Sequence, residues 1–160
     1  MEIIGTVKDP RVMLARELNS RVGRKKHFKF LIEGEENLKS AVDSGINVNY
    51  ILCVKEEYEK YSAFKSFIPS FVATTGIMKK ITESKHLIPV IAVADTPIPG
   101  DSTKEFILIM DQVKDFNKAG SIIRTGRSFG IDDYFAVDSY FDPFDKKAIE
   151  ASSGLVFSCD

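Results

Sequence analysis

The sequence predicts an α/β layered fold with a mainly parallel sheet, and three observations carry that expectation. Short apolar runs alternate with single amphipathic segments along a chain of 160 residues, the pattern of strands joined by crossover helices. Phe106–Met110, a helical pattern from Asn117 to Gly130, and Ile131–Val137 make a complete βαβ unit, expected to cross over right-handed. No internal repeat or low-complexity segment interrupts the alternation. A chain of this length holds one good core, or one small domain plus part of another.

In chain order, Met1–Val7 reads as a poorly fixed arm. Asp9-Pro10 supplies an N-cap and a proline at the first helical position, with Val12, Leu14, Ala15 and Leu18 forming the apolar side. Phe28–Ile32 is the next strand and Glu35–Ser44 a helix with Leu38, Ala41 and Val42 on one face, closed by Gly45. Val48–Val54 follows as a strand and Glu56–Phe67 as a helix carrying Tyr58, Tyr61 and Phe64 as packing groups. Ser70–Ala73 is a short strand, and Thr75 opens a helix with Ile77, Met78 and Ile81 as its stripe. Ile88–Ala94 is a strand that Pro89 either places at a sheet edge or shortens to begin at Val90.

Asp95–Thr103 has linker composition, with two prolines and a glycine among polar residues. Domains are therefore expected at 1–95 and 104–160, with 96–103 as the connection. In the second, Phe106–Met110 is a buried strand and Asn117 the expected N-cap of the helix after it. At about 100° per residue, Ala119, Ile122, Ile123, Gly126 and Phe129 gather on one side. Asn117, Gly120, Ser121, Arg124, Arg127 and Ser128 gather on the other. Two arginines on one helix face suit phosphate or a developing oxyanion. A solvated face is the plain alternative. Asp142 reads as the cap of a further helix, with Pro143 in its first turn and Asp145 at the positive end of its dipole. Leu155–Phe157 reads as the start of a third strand.

Formal net charge is −1, so no global field draws in nucleic acid and any basic surface is local. The densest local cluster is Arg21, Arg24, Lys25, Lys26, His27 and Lys29. It is either a solvated loop or a phosphate-contacting patch with salt-sensitive, sequence-blind affinity. Cys53 lies within an apolar strand and reads as core; Cys159 is far from it in sequence, and no metal or disulfide pattern is present. His27 and His86 are isolated, without a relay or metal set. No signal peptide opens the chain and no apolar run approaches the ~20 residues of a membrane helix. A cytoplasmic protein without a membrane partner is expected.

Gly120-Ser121-Ile122-Ile123-Arg124-Thr125, after a strand ending Asp111-Gln112-Val113, resembles the first signature motif of the SpoU (TrmH-type) RNA ribose methyltransferases of the SPOUT superfamily. Gly130-Ile131, the Asp142-Pro143 turn and Lys147–Gly154 continue the resemblance in order, and Phe30-Leu31-Ile32-Glu33-Gly34 matches the family's F-L-x-E-G. The resemblance spans nearly the whole chain. It implies a small α/β RNA-binding domain, like that of ribosomal and kink-turn-binding proteins, followed by the N-terminal part of an α/β-knot methyltransferase domain. RNA, ribosomal or transfer, is the implied partner and S-adenosylmethionine the implied cofactor.

By the same resemblance, Arg124 lowers the pKa of a ribose 2′-hydroxyl, with Asn117 as a further catalytic candidate. Arg21, Arg24, Lys25, Lys26, Lys29, Lys118 and Arg127 are the implied RNA contacts, and Glu33 a turn or scaffold residue. The family's conserved-motif asparagine aligns with Lys118, and Asn117 stands one residue earlier. The family's Gln-Gly pair before the last strand of the first domain is replaced by Ile88-Pro89. Its N-E-x-x-G and S-L-N segments, which form the knot and cofactor pocket, have no counterpart here. Cofactor contacts are therefore expected beyond Asp160. Family dimers form largely through that knot, so no stable dimer of this chain is expected. Two other readings stay open: a non-catalytic RNA-binding module, and a generic nucleotide-binding α/β domain, which the absence of a Gly-rich phosphate loop disfavours.

Overall fold

The computed structural model describes residues 1–64, 67–98, 105–138 and 140–159. Its centre is a five-stranded sheet in the order β1-β4-β3-β5-β2, formed by β1 (Ile3–Ile4), β2 (Lys29–Glu33), β3 (Val48–Cys53), β4 (Ser70–Ala73) and β5 (Val90–Asp95). β1 and β3 each run parallel to β4, whereas β5 lies antiparallel between β2 and β3. The sheet is mixed rather than mainly parallel. Between α5 (Thr75–Thr82) and β5, Glu83 ends the helix with a left-handed backbone (φ 55°), and the chain enters β5 in the sense opposite to β3. β5 is thus a central strand. Pro89 stays outside it, so its missing N–H costs no ladder bond; its carbonyl accepts from Val54 N at 3.0 Å.

Strands buried on both faces explain the near-continuous apolar runs. Leu31, Tyr50, Leu52, Ile91 and Val93 face one layer, with Val12, Ala15 and Leu18 of α1 (Pro10–Glu17 and its cap) and Ile77, Met78 and Ile81 of α5. Phe30, Ile32, Ile51, Cys53, Ala92 and Ala94 face the other, under Leu38 and Ala41 of α3 (Glu35–Asp43) and Tyr61 of α4 (Tyr58–Phe64). Cys53 is core, as expected, and burial pushes its thiol up to about 11. The N-terminal segment is not a loose arm. β1 pairs with β4, and Ile4 is buried. The basic cluster is not a loop either, since Arg21–His27 form α2, capped by Ser20 accepting from Gly23 N at 3.0 Å.

A second, two-stranded sheet pairs β6 (Ile107–Asp111) with β7 (Asp133–Val137) in parallel, on either side of α6 (Phe116–Ser128). The expected βαβ unit is present, but its first strand is not the buried one expected. Met110 is buried, whereas Phe106, Ile107 and Ile109 are exposed, because this two-stranded sheet is not covered on both faces. The unit's helix is capped by Asp115, whose carboxylate accepts from Lys118 N at 2.8 Å, rather than by Asn117. The last helix, α7 (Lys146–Ala151), is likewise capped by Asp145 and not by Asp142. Leu155–Ser158 form a 3₁₀ turn instead of a strand. There Phe157 packs on the Phe30 ring (5.7 Å), and that burial outweighs the strand propensity of the run.

Residues of α6, α7 and the 3₁₀ turn extend the same apolar cluster that lies under α3. Ala119, Ile123, Ala148, Ile149, Val156 and Phe157 join Phe30, Ile32 and Leu38 in it. Phe144 and Phe157 both pack against the Phe30 ring, at 4.8 and 5.7 Å. Residues 99–104, most of the expected linker, lie outside the described residues.

Candidate RNA and ribose site

The site grows from one close helix contact. A Cβ added at Gly120 would lie 2.5 Å from the Ala151 carbonyl carbon, so glycine lets α6 approach α7 backbone to backbone. Pattern alone places Gly120 on the polar side of α6, yet it is buried in this contact. Phe129, expected on the apolar side, is instead exposed because it lies beyond the reach of α7, at the C-cap.

Beside the contact, the two helices enclose a groove of about 680 Å³. Asn117, Ser121 and Arg124, at i, i+4 and i+7, line it from α6; Lys147, Glu150 and Ala151 line it from α7. Lys114, Asp115 and Phe116 complete its rim. Asn117 and Arg124, paired in sequence as catalytic candidates, therefore share one groove. Lys118, rotated about 100° from Asn117, is exposed and not part of the lining. Lys147, Glu150 and Ser121 complete the groove and were not singled out as site residues. Their signal was the i, i+3 spacing of Lys147 and Glu150 on a helix facing α6.

The basic candidates divide. Arg24 is a correction: it is 6% exposed and cannot reach a phosphate. Its guanidinium donates to Asp142 Oδ2 and Asp145 Oδ2, each at 2.9 Å, and to the Leu18 and Asn19 carbonyls at 2.9 and 3.1 Å. Lys29 is half-buried and ion-paired with Asp95, with Asn49 Oδ1 also accepting from it at 2.6 Å. Arg127 is ion-paired with Asp132 across the helix end. Lys26 pairs with Glu17 at 3.3 Å, and His27 also meets that carboxylate at 2.7 Å. Among the described residues, Arg21 and Lys25 form no side-chain hydrogen bond or ion pair, and both line a separate groove with Phe28.

A smaller cleft of about 320 Å³ adjoins the first and shares Lys147 and Glu150 with it. Glu33 lies in its wall. Burial pushes this carboxyl above its usual 4.5, against the pull of Lys146, whose ammonium lies 3.5 Å away. A carboxyl raised on folding binds its proton more tightly in the native state, so its ionisation subtracts stability as pH climbs from 4.5 through the folded pKa. The stability of Glu33→Gln relative to the native chain should therefore increase across that window. Thermal denaturation at a series of pH values checks this; a constant difference between the two proteins would refute it.

Residues 9–92 match the MRM3-like substrate binding domain family, over more than half of the chain. The chain belongs to that family. Its MRM3-like domain comprises the central sheet except for β1 and the end of β5, together with α1 to α5. A 23S rRNA (guanosine(2553)-2'-O)-methyltransferase of Bacillus subtilis, RlmP, is 29% identical over 157 residues, covering 98% of this chain and 63% of that protein. The AdoMet-bound rRNA methyltransferase from Sinorhizobium meliloti matches with a TM-score of 0.81 at 20% identity, over 99% of this chain and 62% of that one. The SpoU methyltransferase AviRb from Streptomyces viridochromogenes, in complex with AdoMet, gives 0.80 at 21% identity, over 95% and 62%. The SpoU-like fold that the motifs implied is thus the fold of this MRM3-like chain, which spans less than two thirds of the length of these relatives. Among the described residues, no helix is long and apolar enough to cross a membrane.

Proposed function

We propose that this chain belongs to an S-adenosylmethionine-dependent RNA 2′-O-ribose methyltransferase, acting on ribosomal or transfer RNA in the cytoplasm. Residues 1–95 capture the RNA, and α6 receives the target ribose. The observation that carries this reading is the gathering of Asn117, Ser121 and Arg124 with Lys147 along one polar groove.

A ribose 2′-hydroxyl is a poor nucleophile until it loses its proton. Arg124 keeps its charge at any working pH and so does not act as the base. Held beside the hydroxyl, its guanidinium stabilises the developing oxyanion and lowers the barrier to proton loss. Asn117, two turns away on the same face, orients the ribose, and Lys147 holds an adjoining phosphate as a point charge. Arg21, Lys25 and Lys118 are the exposed cations left for backbone contacts, while Lys26, Lys29 and Arg127 would have to exchange a carboxylate partner for phosphate. S-adenosylmethionine supplies the methyl group when bound. The groove's charged and amide lining suits ribose and phosphate and offers adenosine little apolar wall beyond Phe116 and Ala151. No residue of this chain is therefore assigned to the cofactor.

Arg124→Ala should lower kcat for methyl transfer by about 10²–10³ with little change in the KM for RNA. Arg124→Lys should recover only part, because a point charge does not replace the planar fork. Transfer of labelled methyl groups from S-adenosylmethionine to RNA, by the methyltransferase to which this chain is proposed to belong, measures both. Native kcat in Arg124→Ala would remove the catalytic assignment.

A further inference from the structure

The residue at the end of the basic helix is the observation to explain. Phe28 is 75% exposed, although 28 lies between α2 and a strand that is otherwise buried. Its backbone is left-handed, at φ 52° and ψ 40°, an uncommon setting for a bulky side chain. That backbone is held from both sides. Its N–H donates to the Arg24 carbonyl, and its own carbonyl accepts from Thr96 N at 2.9 Å. The ring is thus displayed by a fixed main chain and does not hang from a loose loop.

Phe28 stands in a groove of about 540 Å³, together with Arg21, Arg24, Lys25, Thr96, Phe141, Asp142, Pro143 and Phe144. Three cations line it against one carboxylate. That carboxylate, Asp142, is already engaged by the buried Arg24, so the outward charge comes from Arg21 and Lys25. Phe141, Pro143 and Phe144 give the groove apolar lining, and Phe144 packs against the buried Phe30 ring at 4.8 Å. A displayed aromatic face with flanking cations and an apolar lining is complementary to a base with its phosphates. A paired base keeps both faces inside its own stack, whereas an unpaired one has a face to offer.

We propose that Phe28 is a stacking platform for an unpaired RNA nucleotide, whose neighbouring phosphates lie on Arg21 and Lys25. The inference rests on the RNA-capture reading above and specifies what is captured. Phe28 selects single-stranded segments, and the two cations supply affinity without reading sequence.

The test uses the full chain with two probes: a short single-stranded RNA carrying 2-aminopurine, and a blunt RNA duplex. Binding of the single strand should change the 2-aminopurine fluorescence. Phe28→Ala should weaken single-strand affinity roughly 5- to 150-fold, the range of one base–aromatic stack, and leave duplex affinity unchanged. Phe28→Trp should retain binding and Phe28→Leu should not, which separates a π face from apolar bulk. Arg21→Ala with Lys25→Ala should reduce the salt slope by roughly 1.4, for two phosphates on a single strand. Unchanged single-strand affinity in Phe28→Ala, or equal loss on duplex, overturns the proposal while leaving RNA capture intact. A Phe28→Ala variant that alters only self-association in sedimentation also overturns it, in favour of a chain–chain contact. No RNA affinity in the native chain overturns both readings.

Discussion

Replacing Arg24 with alanine is expected to destabilise the chain by about 3–5 kcal/mol, the usual cost of removing one partner from a buried ion pair. The guanidinium joins two carboxylates and two carbonyls that come from separate parts of the chain. Asp142 and Asp145 lie 118 and 121 residues away in sequence. Without Arg24, two largely enclosed carboxylates face one another, and the Leu18 and Asn19 carbonyls lose their donor. Asp145 would then cap α7 with its charge uncompensated. Arg24→Lys should recover only part of the loss, because three donors on one nitrogen cannot span that set of acceptors. Urea denaturation of the three proteins measures the effect. A loss below about 1 kcal/mol would class the pair with exposed salt bridges.

Gly120→Val is expected to cost about 3 kcal/mol through overpacking. Its Cβ would meet the Ala151 carbonyl carbon at 2.5 Å and Ala151 Cβ at 2.6 Å. Main chain does not move aside as a flexible side chain does, so α6 and α7 must separate. Separation also moves Arg124 and Lys147 apart, so the proposed RNA methylation should fall even at temperatures where the variant remains folded. Thermal denaturation and methyl transfer, measured together, check the two effects. Gly76, in a helix but with no atom within 4 Å of an added Cβ, provides the control: Gly76→Ala should leave stability unchanged or slightly higher. Native stability in Gly120→Val would show that the helices do not meet at this point.

What the sequence disclosed followed the range of the interactions involved. Asn117 and Arg124 were legible as neighbours because seven residues on one helix bring two side chains to one face, whatever else folds around them. The strands were legible from apolar runs, and Asp9-Pro10 from local capping chemistry. Arg24 was misread because the charged residues near it in sequence are cations, while the carboxylates that pair with it are far along the chain. Gly120 was misread because a glycine has no hydropathy by which to show that another backbone touches it. The caps of α6 and α7 were each placed on the wrong member of an Asp/Asn pair. Asp115 and Asn117, or Asp142 and Asp145, are equivalent by residue type, and backbone geometry chose between them. The sheet was read as mainly parallel since nothing in Glu83–Pro89 announces that β5 runs antiparallel to both its neighbours.

The packing of Phe144 and Phe157 on Phe30 also has a thermodynamic side. Groove walls in binding proteins are often drawn from segments that open at little cost. Here the wall helix α7 lies in the chain between Phe144 and Phe157, both packed on the Phe30 ring of the central sheet, and releasing the whole segment would uncover Phe30. Opening the groove by releasing α7 therefore costs aromatic packing against the central sheet as well as the helix's own contacts. An RNA bound there, as proposed, would meet a wall already packed on the sheet, and the adjustment on binding would fall mainly to the RNA.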